Sequence, residues 1–193
     1  MEYITMFLVF VAHRGLSGLR NGLGYNSGDC IISDFARFAF SVLIVAIMGV
    51  AAFAVVMTGK VDWAVWAAYW VSVTASIFSV VYKYAPVKLL NDLHLLTLIE
   101  QTALAAAILL GNMSVLTMIT LSCAVYPSVL LQKSMINYMI DRPWYFNGTD
   151  DPEGRWYSIP SIGIRIPRTT QRLRLWLSIA SASAIIYILF MRF

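Results

Sequence analysis

Charged side chains are scarce in this chain of 193 residues: Lys, Arg, Asp and Glu together make up 12% of it. A soluble domain carries roughly 25%, so the composition excludes a water-exposed globule. Cysteine is scarcer still. Cys30 precedes the first long apolar run and Cys123 lies inside the fourth, a placement that argues against a disulfide. Two thiols are also too few for a thiolate metal site. Histidine is limited to His13 and His94, which leaves no His-rich metal centre. No metal or cofactor is expected.

Two further absences concern the first residues. The glycine-rich stretch holding Gly15, Gly18, Gly22, Gly24 and Gly28 lacks the Gly-Lys-Ser/Thr ending of a phosphate-binding loop, and no strand–turn–helix context surrounds it. It reads as a flexible juxtamembrane connector. No Lys or Arg precedes the apolar run Ile4–Ala12, so a secretory signal is not expected there. That run rises only about 14 Å as a helix, under half the hydrocarbon thickness. It reads as an interfacial helix. The alternative is that it recruits His13 and Arg14 and spans, which adds a sixth crossing and moves the start of the chain to the opposite side.

Long apolar runs are what the chain has in quantity. Phe38–Val56, Trp63–Val81, Leu93–Leu110, Met113–Leu131 and Leu173–Met191 are each long enough to cross a bilayer. Hydrocarbon offers no water to backbone amides, so such runs insert as helices. The expected fold class is therefore an all-α integral membrane protein with about five transmembrane helices. Its expected organisation is an interfacial and glycine-rich segment over 1–37, a four-helix bundle over 38–131, a cytoplasmic loop over 132–172 and a last helix over 173–193.

Cations set the orientation. Arg14, Arg20 and Arg37 precede the first span, Lys83 and Lys88 follow the second, and the segment after Leu131 holds Lys133, Arg142, Arg155, Arg165, Arg168, Arg172 and Arg174. Only Lys60 and Arg192 fall on the other side. The positive-inside bias then predicts the N-terminus inside and the C-terminus outside. Trp63, Trp66, Tyr69 and Trp70, with Trp176 and Phe190, fit aromatic belts at the span ends.

Helices in lipid approach through small residues. Ser72 and Ser76 form such a row on the second span, Ala103, Ala107 and Gly111 on the third, and Ala180 and Ala184 on the fifth. The two-residue Gly111-Asn112 turn predicts an antiparallel hairpin of the third and fourth spans. Pro127 predicts a kink in the fourth near its inner end, with a neighbour or Ser128 helping to satisfy the freed carbonyl.

The costly residues gather at the start of the third span. His94, Thr97 and Gln101 share one stripe, and Glu100 lies beside it two turns inside the lipid boundary. An ionisable residue at that depth is a functional candidate: it could carry protons, bind a cation or pair with His94. The plainer reading is interhelical glue. No other expected span supplies a charged partner at depth.

The loop over 132–172 is basic and aromatic. Trp144-Tyr145-Phe146 and Arg155-Trp156-Tyr157 bracket a turn-rich acidic tip, which predicts a short β-hairpin. Ile162, Ile164 and Ile166 alternate as in a strand, and Thr169 or Thr170 caps the last helix. Arg165, Arg168, Arg172 and Arg174 read as an anchor for anionic lipid headgroups, at about 1 kcal/mol each near the surface. The aromatic residues Trp144, Tyr145 and Trp156 suit a partner contact. Nucleic acid is the less economical reading of the same residues.

Three function classes follow. The first is a non-enzymatic component of the bacterial inner membrane that works through helix packing and this loop, with a homo-oligomer or another membrane protein as partner. The second is an oligomeric pore, including holin-like permeabilisation, lined by the polar faces of the second and third spans. The third is a proton- or cation-coupled transporter using Glu100. No catalytic residue is expected, because Asp92, His94 and Glu100 have no partner nucleophile.

Overall fold

A computed structural model describes residues 2–25, 34–81, 92–146, 156–159, 164–167 and 170–190. The architecture is a helical bundle: α1 (Glu2–Tyr25), α2 (Asp34–Val56), α3 (Trp63–Val81), α4 (Leu93–Gly111), α5 (Val115–Met139) and α6 (Gln171–Phe190). Four of them, α2 to α5, are long and apolar enough to cross a membrane. The protein is therefore a membrane-embedded, multi-pass helical bundle.

Short polar residues begin the helices by bonding amides that have no partner in the first turn. Asp62 Oδ1 accepts from the amides of Ala64 and Val65 at the start of α3. Asp92 does the same for His94 and Leu95 on α4. Ser114 caps α5 through Thr117, and Thr170 caps α6 through Leu173. Asp141, with φ of 52°, takes the left-handed conformation just past the end of α5.

The largest departure from expectation is α1. It is one helix of 24 residues, about 36 Å long, in place of the expected short interfacial helix followed by a glycine-rich connector (Gly28 lies outside the described residues). Its second half is helical because its glycines are contact points. A Cβ on Gly15 would sit 2.6 Å from Leu131 Cδ2, on Gly18 2.4 Å from the Gln132 carbonyl oxygen, and on Gly22 2.5 Å from Met139 Cβ. The spacing i, i+3, i+7 puts these three on one face, and α5 lies along it in parallel. Arg14 Nε donates to Gln132 Oε1 at 2.9 Å across the same contact. This face also explains why α5 runs to Met139, a further two turns beyond the expected end at Leu131.

The helices pack in an order that the turns alone do not give. α4 packs chiefly on α3, and α5 on α1 and α6. The tight turn at 112–114 does not make α4 and α5 close neighbours along their length, because the glycine face of α1 offers α5 a nearer approach. Met6 and Phe10 of α1 join Ala52 and Val55 of α2, Tyr69 of α3, Leu104 and Ile108 of α4 and Leu121 of α5 in one apolar core. This core lies toward the end where Tyr3 meets the 57–62 loop and the 112–114 turn.

Three packing expectations change. Ala180 and Ala184 are exposed, and α6 instead buries Gln171, Ser178 and Ile185, which recur every seven residues and so share a face. Pro127 stands inside α5, and the Ser128 hydroxyl donates to the Val125 carbonyl at 2.7 Å rather than to that of Cys123, whose usual amide partner the proline removes. A two-stranded antiparallel hairpin pairs β1 (Trp156–Ile159) with β2 (Ile164–Pro167), Tyr157 opposite Ile166. It lies further along the chain than the expected one, since Trp144–Phe146 forms a turn held by α5. Cys30, Lys83, Lys88, Arg168, Arg192 and the acidic tip at 147–154 lie outside the described residues.

Candidate functional site

Two polar centres stand out, one inside the bundle and one at the end where α5 stops and α6 starts. The inner centre joins α1, α3 and α4. Glu100 is fully buried, and both of its carboxylate oxygens are engaged. Arg20 Nη1 donates to Oε2 at 2.7 Å, and Gln101 Nε2 donates to Oε1 at 2.9 Å. His13 Nδ1 stands 3.8 Å from Oε1 and 3.2 Å from Gln101 Nε2. The rest of the guanidinium is satisfied within α1: Nη2 donates to Ser17 Oγ at 2.9 Å, and Nε and Nη2 both reach Asn21 Oδ1.

The network continues into the neighbouring helices. Asn21 Nδ2 donates to Thr97 Oγ1 at 3.0 Å, and Thr97 donates to the Leu93 carbonyl. Ser72 of α3 donates to the Glu100 carbonyl at 2.8 Å, and Ser76 is buried on the same face of α3 one turn further on. Gln101 Oε1 has no partner among the described residues. Every member is buried. A charge in this position is tolerable only when paired and hydrogen-bonded, since removing either partner strands the other in a low dielectric. The arrangement is chemically a neutral ion pair wrapped in amides and hydroxyls, and it bolts α1 to α4.

Of the residues singled out from the sequence, Thr97, Glu100 and Gln101 come together here, and so do Ser72 and Ser76. His94 does not join them: it is half-buried one turn nearer the start of α4, and the imidazole beside Glu100 is that of His13. Ala107 and Gly111 are buried and Ala103 half-buried, with Gly111 close to Gly59 and the Lys60 carbonyl. The residues missed are His13, Ser17, Arg20 and Asn21. Their spacing, i, i+4, i+7, i+8, marks one helix face, while Gly15, Gly18 and Gly22 mark another. That double pattern was the available signal for α1.

The second centre is a folded turn. Asn137, fully buried, donates from Nδ2 to the carbonyls of Pro143, Trp144 and Phe146 at 3.2, 3.0 and 2.7 Å. Gln171 Nε2 adds a bond to the Trp144 carbonyl at 3.1 Å, and its Oε1 accepts from Arg174 Nη1 at 3.0 Å. These bonds pin 140–146 between the end of α5 and the start of α6. The turn displays Trp144 and Tyr145, edge to face at 5.9 Å. The Arg172 guanidinium lies over the Tyr145 ring at 5.8 Å, and that of Arg142 over Phe146 at 5.3 Å. Tyr138 and Trp176 are exposed on the same end. Arg165 and Trp156 fall on β2 and β1.

Such rings with guanidinium groups stacked on them suit a membrane–water interface, where one side of each group is apolar and the other wet. No protein-family model, curated protein or solved structure matches the chain.

Proposed function

We propose that this chain is a non-enzymatic component of the bacterial inner membrane whose six helices all cross the bilayer. In this reading its basic, aromatic end contacts anionic lipid headgroups or a partner membrane protein on the cytoplasmic side. The six-span topology is supported by the length of α1, about 36 Å against a hydrocarbon core of about 30 Å, and by its antiparallel run along α2. The start of α1, the 57–62 loop, the 112–114 turn and the end of α6 then face outward with Lys60. Arg37, Lys133, Arg142, Arg172 and Arg174 lie at the inward end, in keeping with the positive-inside bias.

The observation that carries the contact reading is the engagement of Glu100. An acid that relays protons or binds a cation needs access and an uncompensated charge, whereas Glu100 is fully buried with one oxygen paired to Arg20 and the other bonded by Gln101. A pore assembled on the polar faces of α3 and α4 is disfavoured for a related reason. Ser72, Ser76, Ser79, Thr97 and Gln101 are all buried within a single copy.

The test follows membrane potential with a dye in bacteria during induction, for the wild type and Glu100→Gln, with insertion confirmed. A steady potential in both is expected. Depolarisation by the wild type overturns the reading in favour of a pore, and its loss in the variant places Glu100 on the ion path. A photocrosslinker at position 144 then reports the contact. Neutralising Arg165, Arg168 and Arg172 together removes the crosslink to lipid or partner, and an unchanged crosslink sinks the role given to this end.

A further inference from the structure

The opposite end of the bundle carries two adjoining cavities that the contact reading does not use. One is a polar cleft of about 530 Å³ where the first turn of α1 meets the two short connections, lined by Tyr3, Thr58, Lys60, Asn112 and Ser114. The other is an open groove of about 640 Å³ between the start of α1 and the end of α6, lined by Ile4, Phe7, Leu8, Ala182, Ile185 and Phe190.

The cleft is chemically one-sided. No Asp or Glu is among its described lining residues, and Oδ1 of the nearby Asp62 is engaged in capping α3. Lys60 brings a positive charge, Tyr3 a phenolic hydroxyl, and Asn112 a buried amide nitrogen that has no hydrogen-bond partner among the described residues. The Thr58 hydroxyl is already donated to the Val55 carbonyl at 2.7 Å and the Ser114 hydroxyl is bonded to Thr117, so Lys60, Tyr3 and Asn112 are the donors the cleft offers a ligand. A cation beside hydroxyl and amide donors, with no carboxylate among the described lining residues, favours an anion.

The cleft is also held in shape. The Lys60 amide donates to the Gly111 carbonyl at 2.8 Å, which joins the 57–62 loop to the α4–α5 turn. A Cβ on Gly59 would sit 2.5 Å from both the Gly111 carbonyl oxygen and Asn112 Nδ2, so the approach requires glycine.

The groove supplies the other half of an amphiphile. Every residue named on it is apolar, and it starts on the same first turns of α1 that border the cleft. Tyr3 in the cleft and Phe7 in the groove are neighbours at i, i+4 on one helix face. A free phosphate ion has no use for the groove, and a neighbouring apolar helix has no use for the cationic cleft. We propose that the Lys60 end of the bundle holds one phospholipid, with its phosphate in the cleft beside Lys60 and Asn112 and one acyl chain in the α1–α6 groove. The site combines an anion held at headgroup level with a chain laid against the protein below it.

The full chain, reconstituted in vesicles of phosphatidylcholine, is released in mild detergent, and retained phospholipid is counted by native mass spectrometry. This zwitterionic lipid keeps the basic opposite end from dominating the readout. One retained lipid per chain is expected. Lys60→Gln, at an exposed position, lowers its affinity about fivefold, the effect of one cation near a phosphate surface. Ala182→Phe fills the groove and lowers it as well, with Ile186→Trp on the open edge as a second groove-filling change. Val71→Ala, at an exposed position of α3 that lines neither cavity, leaves retention unchanged. Equal retention in the wild type, Lys60→Gln and both groove variants overturns the proposal. Displacement by inorganic phosphate that the groove variants do not alter overturns it in favour of a simple anion site.

Discussion

Phe35, Phe38, Phe40, Leu43, Ile47 and Val50 of α2 are all exposed, and only 28% of its most apolar stretch is buried within the bundle. Helix α1 is built the other way round. It carries His13, Ser17, Arg20 and Asn21, and all four are buried. In water this would be an inverted protein. In lipid it is the economical arrangement, because hydrocarbon solvates Phe and Leu as well as a protein core does, whereas an arginine or a glutamate must find its partner inside. Apolar character therefore marks the lipid-facing outside of this bundle as well as the core toward its Tyr3 end. Polar side chains and glycine mark its seams.

The sharpest way to break that comparison is to remove one charge from the seam. Glu100→Ala leaves Arg20 buried and unpaired, and is expected to destabilise the bundle by about 3–5 kcal/mol, read as the shift in an SDS-titration unfolding curve in mixed micelles. Replacing both partners together, Arg20→Met with Glu100→Leu, should recover most of that loss, because an apolar pair of similar volume needs no partner. If the single variant unfolds like the wild type, the network does not hold α1 in place.

A smaller effect is expected where α1 meets α5. Gly18→Ala forces a Cβ to 2.4 Å from the Gln132 carbonyl oxygen, with backbone on both sides, and should cost about 1–3 kcal/mol through overpacking. The same titration measures it, and crosslinks between cysteines placed on α1 and α5 should weaken in parallel. Smaller again, Asn137→Ala removes the amide that ties down the 140–146 turn and should cost about 1–2 kcal/mol. Hydrogen exchange confined to that turn would report it. The control on the lipid side is Gly49→Ala on α2. A Cβ there meets nothing within 4 Å, so the better helix propensity of alanine should stabilise by roughly 0.5–1 kcal/mol. A loss of stability at Gly49 would mean that α2 has a neighbour where lipid is expected.

The long apolar runs were legible at once, because span length and hydrocarbon thickness leave few alternatives. Four of them reappear as α2 to α5 with starts or ends close to those expected, and the acidic and hydroxyl caps sit where the spans begin. The first helix was not legible in the same way. Its apolar run stops at Ala12, and a length criterion discards it there. What continues the helix is the pairing of two faces, glycines toward α5 and polar side chains toward α4, and neither face is apolar. The expectation that Glu100 has no charged partner at depth failed for this reason: Arg20 belongs to a segment that the apolar criterion had placed outside the bilayer.

The choice of face on α6 shows a second limit. Ala180 and Ala184 have the small-residue spacing of a helix contact, yet Gln171, Ser178 and Ile185 are the buried row. Small residues permit close approach, but the row that is used depends on which neighbour is there to receive it. The chain by itself determined that this is a helical membrane protein, where most spans lie, and which residues would be costly in lipid, because each of these follows from local composition and transfer free energy. Only the tertiary structure decided that α1 completes the bundle, that α5 follows α1 rather than α4, and that Arg20 answers Glu100 across 80 residues of sequence. Those are choices among partners distant in the chain, made by geometric fit and by the cost of an unpaired buried charge.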